Sequence, residues 1–267
     1  MTIRFDAVNL SFGLHKIFDK LSLMFDGGKI LQPDGGRANS ADEQNNSVSR
    51  RSEHSPHETQ QGQNHVMIRF DAVNLTFGAN KIFDSLSLTF DGGKIIGVTG
   101  ANGSGKSTLL KLAGKILQPD SGRVTFTDKK NNYALPSAAA VSPEMKLYDG
   151  LTAAENLKFF ARLRGKILSD EEISALGQRV GLDMKIFGSE RTENFSTGMR
   201  QRLKFAILLA VDADIWLLDE PTANLDDTGR ENFFAEIQAA KSDKIILLAT
   251  NDAQEAQICD EIIRLPI

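Results

Sequence analysis

The chain has 267 residues, 41% of them hydrophobic, a formal net charge of −4 at pH 7 and a single cysteine. One cysteine excludes a disulfide framework or a cysteine zinc site within one chain, and the charge gives no reason to expect a nucleic-acid partner, which favours a basic surface. No apolar run approaches the ~18 residues of a membrane-spanning helix, and the N-terminus lacks the basic and then apolar layout of a secretory signal. Any membrane role is therefore expected to be peripheral.

A broken internal repeat opens the chain. Residues 3–30 recur at 68–95, an offset of 65, with 23 of 28 positions identical. After residue 30 the first copy jumps to Leu31-Gln32-Pro33-Asp34, which matches 117–120, and the tripeptide Gly-Lys-Ile stands at both junctions, 93–95 and 114–116. We interpret residues 1–37 as a truncated duplicate that lost the glycine-rich segment lying between those two tripeptides.

A polar segment separates the two copies. Residues 38–66 are rich in Ser, Asn, Gln, Glu and His and poor in aliphatic residues, too poor in apolar area to offset the entropy of ordering, so a disordered linker is predicted. The functional unit is predicted to span 67–267. The duplicate is expected to be an evolutionary remnant or the result of a start assigned too far upstream, because two strands alone rarely fold. The alternative is a strand competitor that pairs with or displaces 68–75 and 83–90 in its own or a neighbouring chain.

A phosphate-binding loop is predicted at Gly100–Ser107, which fits G-x-x-x-x-G-K-S/T. The stretch 94–99 reads as a buried strand and 107–113 as a helix, which is the context that this loop requires. Backbone N–H groups of the loop can wrap phosphates, Lys106 can neutralise their charge and the Ser107 hydroxyl can bind Mg²⁺. The residues predicted to bind the nucleotide here are Gly100, Asn102, Gly103, Ser104, Gly105, Lys106, Ser107 and Thr108.

A helical stretch follows the loop. Thr152 to Glu155 and Ser169 to Glu172 both fit capping boxes, which predicts helices near 153–164 and 170–180. The apolar set on the first helix is either core or a docking surface, and core is the safer interpretation; it comprises Leu157, Phe159, Phe160 and Leu163.

Two later motifs carry the remaining chemistry. The first is Phe195-Ser196-Thr197-Gly198-Met199, followed by a helix, and the second is Ile215 to Pro221, an apolar strand that ends in Asp219 and Glu220. The Asp219 carboxylate can emerge near the phosphates and hold Mg²⁺ directly or through water. Glu220 can polarise the attacking water if it lies within hydrogen-bonding reach.

The motifs, in this order, resemble those of the nucleotide-binding subunit of an ATP-binding cassette (ABC) transporter across 67–267. The resemblance implies an α/β cassette of the P-loop NTPase type with a mixed central sheet, an antiparallel β subdomain and an inserted helical subdomain. It implies that Phe77 stacks on adenine and that Ser196, Thr197 and Gly198 face the γ-phosphate bound in the opposite subunit. Asp226 belongs by resemblance to the loop that communicates across this dimer interface.

Two departures from the family pattern bear on mechanism. The glutamine expected in 141–145 is absent, so Glu144 or Ser142 is left to serve in its place, with Glu144 as a candidate metal ligand. The switch histidine is replaced by Asn251, and all four histidines precede Met67. Asparagine can donate a hydrogen bond to the γ-phosphate but cannot act as an imidazole acid or base. Nucleotide binding is expected to be preserved and hydrolysis to be slowed; alternatively, Glu220 suffices as the base.

The resemblance implies an ATPase that binds ATP and Mg²⁺ and energises a separate transmembrane subunit, with Glu220, Lys106 and Asn251 as catalytic residues and Ser107, Asp219 and Glu144 as metal ligands. The signature and length look similar to small export-type cassettes, including those of haem-exporter and ABC-2 type. A homodimer or heterodimer of cassettes is expected, cytoplasmic and peripheral at the inner face of the cytoplasmic membrane. The rivals are a soluble switch that dimerises with ATP, and an inactive product of gene rearrangement.

Overall fold

The computed structural model describes residues 4–5, 23–26, 29–31, 66–127 and 136–266. The chain divides into two compact units, 1–63 and 64–267. In the first unit β1 (Arg4–Phe5), β2 (Leu23–Asp26) and β3 (Lys29–Leu31) form an antiparallel sheet in that order. Apart from Val66, the predicted linker 38–66 lies outside the described residues.

The second unit contains two sheets and seven α-helices among its described residues. Its strands are β4 (Met67–Phe77), β5 (Asn80–Asp91), β6 (Lys94–Thr99), β7 (Ser121–Thr127), β8 (Ala138–Val141), β9 (Ile215–Asp219), β10 (Ile245–Ala249) and β11 (Glu261–Arg264). Its helices are α1 (Lys106–Ala113), α2 (Ala153–Arg162), α3 (Asp170–Arg179), α4 (Met184–Phe187), α5 (Thr197–Val211), α6 (Asp227–Ala240) and α7 (Ala253–Gln257), with 3₁₀ turns at Thr192–Asn194 and Lys241–Asp243.

The two sheets differ in strand direction. An antiparallel sheet has the order β5-β4-β7, and a five-stranded sheet has the order β11-β6-β10-β9-β8. This confirms the predicted α/β cassette with an antiparallel β subdomain. The central sheet, however, is parallel at every described pairing, not mixed as expected. The antiparallel strands all belong to the other sheet, because the β4–β5 hairpin pairs with β7 and leaves the central sheet to strands joined by long crossovers.

The central sheet separates two hydrophobic cores. Its three inner strands, β6, β10 and β9, are apolar on both faces, as in β10, where all five residues are buried. Ile246 and Leu248 pack with α2, α3, α5 and α6, whereas Ile245 and Leu247 pack with α1 and the antiparallel sheet. Burial on both faces explains why the sequence of these strands is a continuous apolar run.

The helical stretch begins as predicted. Thr152 and Ser169 each close a reciprocal capping box, with Glu155 and Glu172, at the starts of α2 and α3. The apolar set of α2 divides: Leu157 and Phe160 are buried in the core, Phe159 is partly buried against it, and Leu163 is 49% exposed. In the described part of the chain, no helix has the length and apolarity needed to cross a membrane.

Strand register brings the functional loops together. Ala249 of β10 lies opposite Val98 of β6 on one side and Asp219 of β9 on the other. The carboxyl ends of three neighbouring parallel strands therefore meet at one edge, where ligands of open α/β sheets bind. The chain continues from these ends into the glycine-rich loop, Glu220 and Asn251.

Candidate functional site

The glycine-rich loop connects β6 to α1 with its backbone turned in left-handed conformations at Gly103 (φ 85°) and Gly105 (φ 95°). Gly100 also leaves no space for a side chain, since a Cβ atom there would lie 2.5 Å from Ser104 Oγ. That Oγ atom is buried and has no hydrogen-bond partner among the described residues. A loop with a bare backbone and an unpaired donor fits a phosphate group.

Lys106 is the first residue of α1 and is only 8% exposed. Its Nζ donates to the carbonyl oxygens of Gly100 at 2.8 Å and Ala101 at 3.2 Å, which holds the ammonium charge over the loop. The first turn of α1 contains no acidic residue. The loop, the lysine and the helix N-terminus together have the features of an anion-binding site.

Three carboxylates surround the end of β9. Burial raises the pKa of Asp219, the charges of Glu220 and Glu144 raise it further, and a hydrogen bond with Ser107 and the charge of Lys111 oppose the rise. Like charges so close together disfavour one another, so a cation offsets the conflict. The structure thus brings Asp219 close to Ser107, the two residues predicted to bind Mg²⁺.

The donor set at this position fits Mg²⁺. A hydroxyl and a carboxylate are hard oxygen ligands, and Mg²⁺ is usually bound through one or two carboxylates together with substrate phosphates. Among the described residues, no cluster of three or more His, Cys, Asp or Glu side chains could hold a metal by itself. Ser107 and Asp219 together would supply two oxygen ligands, which leaves the remaining positions of the ion for phosphate and water oxygens.

Glu220 has a strained backbone and an exposed side chain. Its φ of 47° lies in the left-handed region, which costs a residue with a Cβ atom about 1–2 kcal/mol. Its N–H donates to the Ala249 carbonyl at 3.0 Å and its carbonyl accepts from Ala223 N–H at 3.2 Å. The turn places Glu220 just beyond the carboxyl end of β9, at the same edge of the central sheet as the glycine-rich loop.

Asn251 stands beside the glycine-rich loop. Its amide lies 2.9 Å from that of Asn102. With the amide oriented to satisfy its neighbours, its nitrogen donates to the Gly100 carbonyl at 2.7 Å and its oxygen accepts from Lys106 Nζ at 3.3 Å. The residue at the switch position is thus hydrogen-bonded to the residues that would surround the terminal phosphate.

The segment that lacks the family's glutamine is tied to two helices. Glu144 accepts a hydrogen bond from Lys111 of α1 at 2.9 Å. The Ser142 carbonyl accepts from Lys204 of α5 at 2.9 Å, and burial lowers the pKa of that lysine. The Glu144 carboxylate is paired with Lys111 near Asp219, and its metal role stays a prediction.

The signature segment opens α5. Ser196 is its N-cap and accepts from Met199 N–H at 3.2 Å. Ser196 and Thr197 are exposed, and Gly198 approaches the 223–226 loop so closely that a Cβ atom would lie 2.9 Å from the Asn224 carbonyl. Asp226 caps α6 by accepting from Gly229 N–H at 2.8 Å, and its carboxylate pairs with Arg202. The signature and this loop form one exposed surface.

Phe77 lies at the end of the β4–β5 hairpin, opposite Asn80, and is 46% exposed. An exposed ring at a hairpin end offers its π face to a planar partner. Sequence reasoning missed three buried polar residues behind the loops, Gln201, Thr222 and Glu255. The residues around each of them in the sequence give no sign of burial. A Glu in a short polar helix such as α7, for example, is normally predicted to be exposed to solvent.

The family described as "ABC transporter" matches residues 83–223, which cover the loop, the signature and the Asp219-Glu220 pair. The chain belongs to the ABC transporter family. It is an ATP-binding cassette that energises transport, and ATP with Mg²⁺ is the ligand of such cassettes. Association into cassette dimers and with transporter systems is typical of this family.

Relatives of known sequence support this assignment. The ABC transporter ATP-binding protein NatA of Bacillus subtilis (strain 168) is 37% identical over 196 residues, which are 69% of this chain and 78% of NatA. The uncharacterized ABC transporter ATP-binding protein YdbJ of the same organism is 33% identical over 204 residues, 74% of this chain and 65% of YdbJ. The mouse ABC-type organic anion transporter ABCA8B is 33% identical over 207 residues, but the match spans only 13% of that protein.

Solved ABC structures share the fold. The ATP-binding cassette MJ0796, in a dimeric post-hydrolysis state bound to ADP and Pi, has a TM-score of 0.65 at 22% identity and covers 74% of this chain and 94% of that chain. A bacterial Atm1-family ABC exporter with ATP bound has a TM-score of 0.65 at 20% identity and covers 76% and 37% of the respective chains. At these identities the likeness shows the fold alone.

Proposed function

We propose that this ABC ATPase hydrolyses MgATP with Glu220 as the general base. The observation that carries the proposal is the convergence of Glu220, Lys106 and Asn251 at the carboxyl edge of three neighbouring parallel strands. A carboxylate here can accept the proton of the attacking water, while the loop N–H groups and Lys106 stabilise negative charge on the transferred phosphoryl group.

Ser107 and Asp219 would hold Mg²⁺, with Glu144 as a further candidate oxygen ligand. When bound, Mg²⁺ supplies positive charge that offsets the phosphate oxygens and the Asp219 carboxylate. Phe77 stacks on the adenine ring, and its exposure at the hairpin end supports this role. The remaining loop residues, from Gly100 to Thr108, orient the phosphates.

Two cassettes complete each site in a head-to-tail dimer. The chain has one phosphate loop and one signature, and Ser196, Thr197 and Gly198 lie at an exposed helix N-terminus beside Asp226. Such a helix end favours the γ-phosphate of a nucleotide held by the facing copy. A second copy of this chain or a related cassette serves as the partner.

A mixing experiment tests whether two cassettes share each site and whether a second copy of this chain can be the partner. Lys106→Ala removes the loop function of its own copy, and Ser196→Arg removes the signature function for the facing copy, so each variant alone is inactive. Half of the dimers in an equal mixture are hybrids with one intact site, which restores about a quarter of wild-type phosphate release. Failure of the mixture to recover activity, with both variants folded, contradicts the shared site.

We also propose that hydrolysis is slow. An imidazole at the switch position can accept and donate a proton. The Asn251 amide can donate and accept hydrogen bonds but cannot transfer a proton near neutral pH. The same substitution motivates the second candidate, an ATP-dependent dimerisation switch with little or no hydrolysis. Stable ATP-bound dimers without phosphate release from wild-type protein would favour the switch.

Export by a separate transmembrane subunit, with the cassette peripheral at the inner face of the cytoplasmic membrane, is our proposal for the biological setting. The probable multidrug ABC transporter ATP-binding protein YbhF of Escherichia coli (strain K12) is 33% identical over 202 residues, which supports it. The ribose import ATP-binding protein RbsA of Halalkalibacterium halodurans, 32% identical over 185 residues, points the other way. In vesicles with the cassettes outside, added ATP drives substrate into the lumen for an exporter and out of it for an importer.

Residues 1–37 are proposed to be a partial duplicate of the start of the cassette, joined to 67–267 by the 38–66 linker. Strand register supports this origin. Arg4 lies opposite Met24 and Phe5 opposite Leu23. The corresponding pairs at the offset of 65 are Arg69 with Thr89 and Phe70 with Leu88.

A further inference from the structure

The chain turns sharply after β9, in the segment from Glu220 to Thr222. Glu220 has a φ of 47°, although its Cβ atom disfavours that region. A strained backbone of this kind persists only where surrounding contacts determine it. The contacts that hold this turn are therefore also contacts that place the Glu220 carboxylate.

Two buried side chains hold the turn from different directions. Glu255, which is 1% exposed, accepts two hydrogen bonds at its Oε1 from Thr222, from N–H at 2.9 Å and from Oγ1 at 2.6 Å. Gln201, which is 8% exposed, donates from Nε2 to the Pro221 carbonyl at 2.6 Å. We call this arrangement of Gln201, Pro221, Thr222 and Glu255 the clamp.

The clamp joins three functional loops. Gln201 lies on α5, whose N-cap is the signature residue Ser196. Glu255 lies on α7, which begins two residues after Asn251. Hydrogen bonds in a buried, water-poor environment fix geometry more strongly than exposed ones do. A displacement of α5 or α7 is therefore expected to change the backbone position of Glu220, the residue directly before Pro221.

Glu255 has a further feature that a packing role does not explain. Its Oε2 is buried and has no hydrogen-bond partner among the described residues. A buried oxygen without a partner destabilises the fold, so an apolar side chain would serve packing better. What the carboxylate provides is one oxygen that accepts two hydrogen bonds from Thr222.

We propose that Glu255 is a positioning residue for hydrolysis, which holds the left-handed turn at Glu220 through Thr222 and links it to the Asn251 loop. The proposal rests on the proposed ATPase function. Glu255 acts through Thr222 and does not contact the nucleotide. Its loss is expected to change the catalytic rate and to leave ATP binding almost unchanged, because none of its hydrogen bonds is to the phosphate loop.

Three variants of the full chain separate positioning from packing. Glu255→Ala removes both hydrogen bonds to Thr222, and kcat is expected to fall about 10- to 100-fold, since small misplacements of a catalytic group have effects of this size. Glu255→Gln keeps an oxygen that accepts both bonds and is expected to stay within about threefold of wild type. Thr222→Val removes only the Oγ1 donor and is expected to lower kcat about 3- to 10-fold, between these two variants.

The experiment measures kcat, KM and the affinity for a fluorescent ATP analogue, with Glu231→Ala as the matched control on an exposed carboxylate of α6. The double variant Glu255→Ala, Thr222→Val is expected to match Glu255→Ala alone, because both act on one interaction. A kcat of Glu255→Ala within twofold of wild type, a rise in KM alone, or additive losses in the double variant would overturn the proposal. So would a Glu255→Gln variant as impaired as Glu255→Ala.

Hydrogen exchange keeps the proposal testable apart from turnover. In Glu255→Ala, amides of the peptide 219–226 are expected to exchange at least about tenfold faster, and those of α1 to be unchanged. If wild-type protein releases no phosphate, the proposed ATPase function fails, while the exchange data still decide whether the clamp holds the turn. If Glu255→Ala does not fold, kcat and exchange in Thr222→Val decide in its place, and unchanged values there refute the proposal.

Discussion

Asn251 occupies the position where the family pattern has a histidine, and its amide is hydrogen-bonded beside Lys106 and Gly100. Asn251→His introduces a group that can both accept and donate a proton near the terminal phosphate. Turnover is expected to rise at least about tenfold, while ATP affinity stays similar. Steady-state phosphate release at saturating MgATP measures the effect. An unchanged rate would mean that Glu220 suffices and that the asparagine does not limit hydrolysis.

Cys259 is the only cysteine of the chain, which makes its reactivity simple to measure. Burial, together with the charges of Glu255 and Asp260, raises the pKa of its thiol to about 12. The fraction of reactive thiolate is therefore very small at neutral pH. As long as the pH is below the pKa, this fraction rises about tenfold for each unit by which the pH increases. Alkylation by iodoacetamide at pH 8, followed by mass spectrometry, is expected to be at least about 100-fold slower than for free cysteine. A comparable rate would contradict the buried environment.

Asp252 is the N-cap of α7, the helix that carries Glu255. It accepts from Gln254 N–H at 2.7 Å and Glu255 N–H at 3.3 Å, and it pairs with Arg230 at 2.9 Å. Asp252→Ala is expected to lower the free energy of unfolding by about 1–2 kcal/mol at pH 7, the usual effect of losing a cap. Urea denaturation measures it, with Asp252→Asn as the variant that keeps the cap.

The same substitution has a pH dependence with a defined sign. The Arg230 hydrogen bond and the helix N–H groups hold the pKa of Asp252 below its usual value. A carboxylate with a lowered folded-state pKa stabilises the protein fully above its unfolded pKa of about 3.9 and loses this effect as pH falls through the folded value. The difference between wild type and Asp252→Ala is therefore expected to shrink below about pH 4. A difference that grew there would contradict the assignment.

Helices and strands could be predicted from local sequence patterns, but the pairing of strands from distant parts of the chain could not. The capping boxes at Thr152 and Ser169 and the apolar run 215–218 define helix starts and a strand from neighbouring residues alone. The strand partners of the central sheet come from distant parts of the chain, so its all-parallel pairing could not be read from the sequence. The glycine-rich motif requires a strand before it and a helix after it, so both elements could be predicted from the sequence. The buried hydrogen bonds between Glu255 and Thr222 could not, because they join two segments that are distant in the chain.

Residues 1–66 precede the cassette and differ from it in composition and motifs. Because the proposed duplicate lacks the glycine-rich loop and belongs to a separate compact unit, deleting 1–66 is expected to leave the melting temperature, the oligomeric state and phosphate release unchanged. Differential scanning calorimetry and light scattering on the full chain and on 67–267 test this. A lower melting temperature or an altered oligomer in the shortened chain would instead favour strand competition by the duplicate.

We propose that Glu220 drives MgATP hydrolysis in a dimer of this cassette. The most direct test is Mg²⁺-dependent phosphate release by the full chain and by Glu220→Gln across a range of protein concentrations. We expect turnover that rises more than linearly with protein concentration and falls by about 10²–10⁴-fold in Glu220→Gln, which still binds ATP. Equal turnover in both proteins, or tight ATP binding by wild type without any phosphate release, would contradict it.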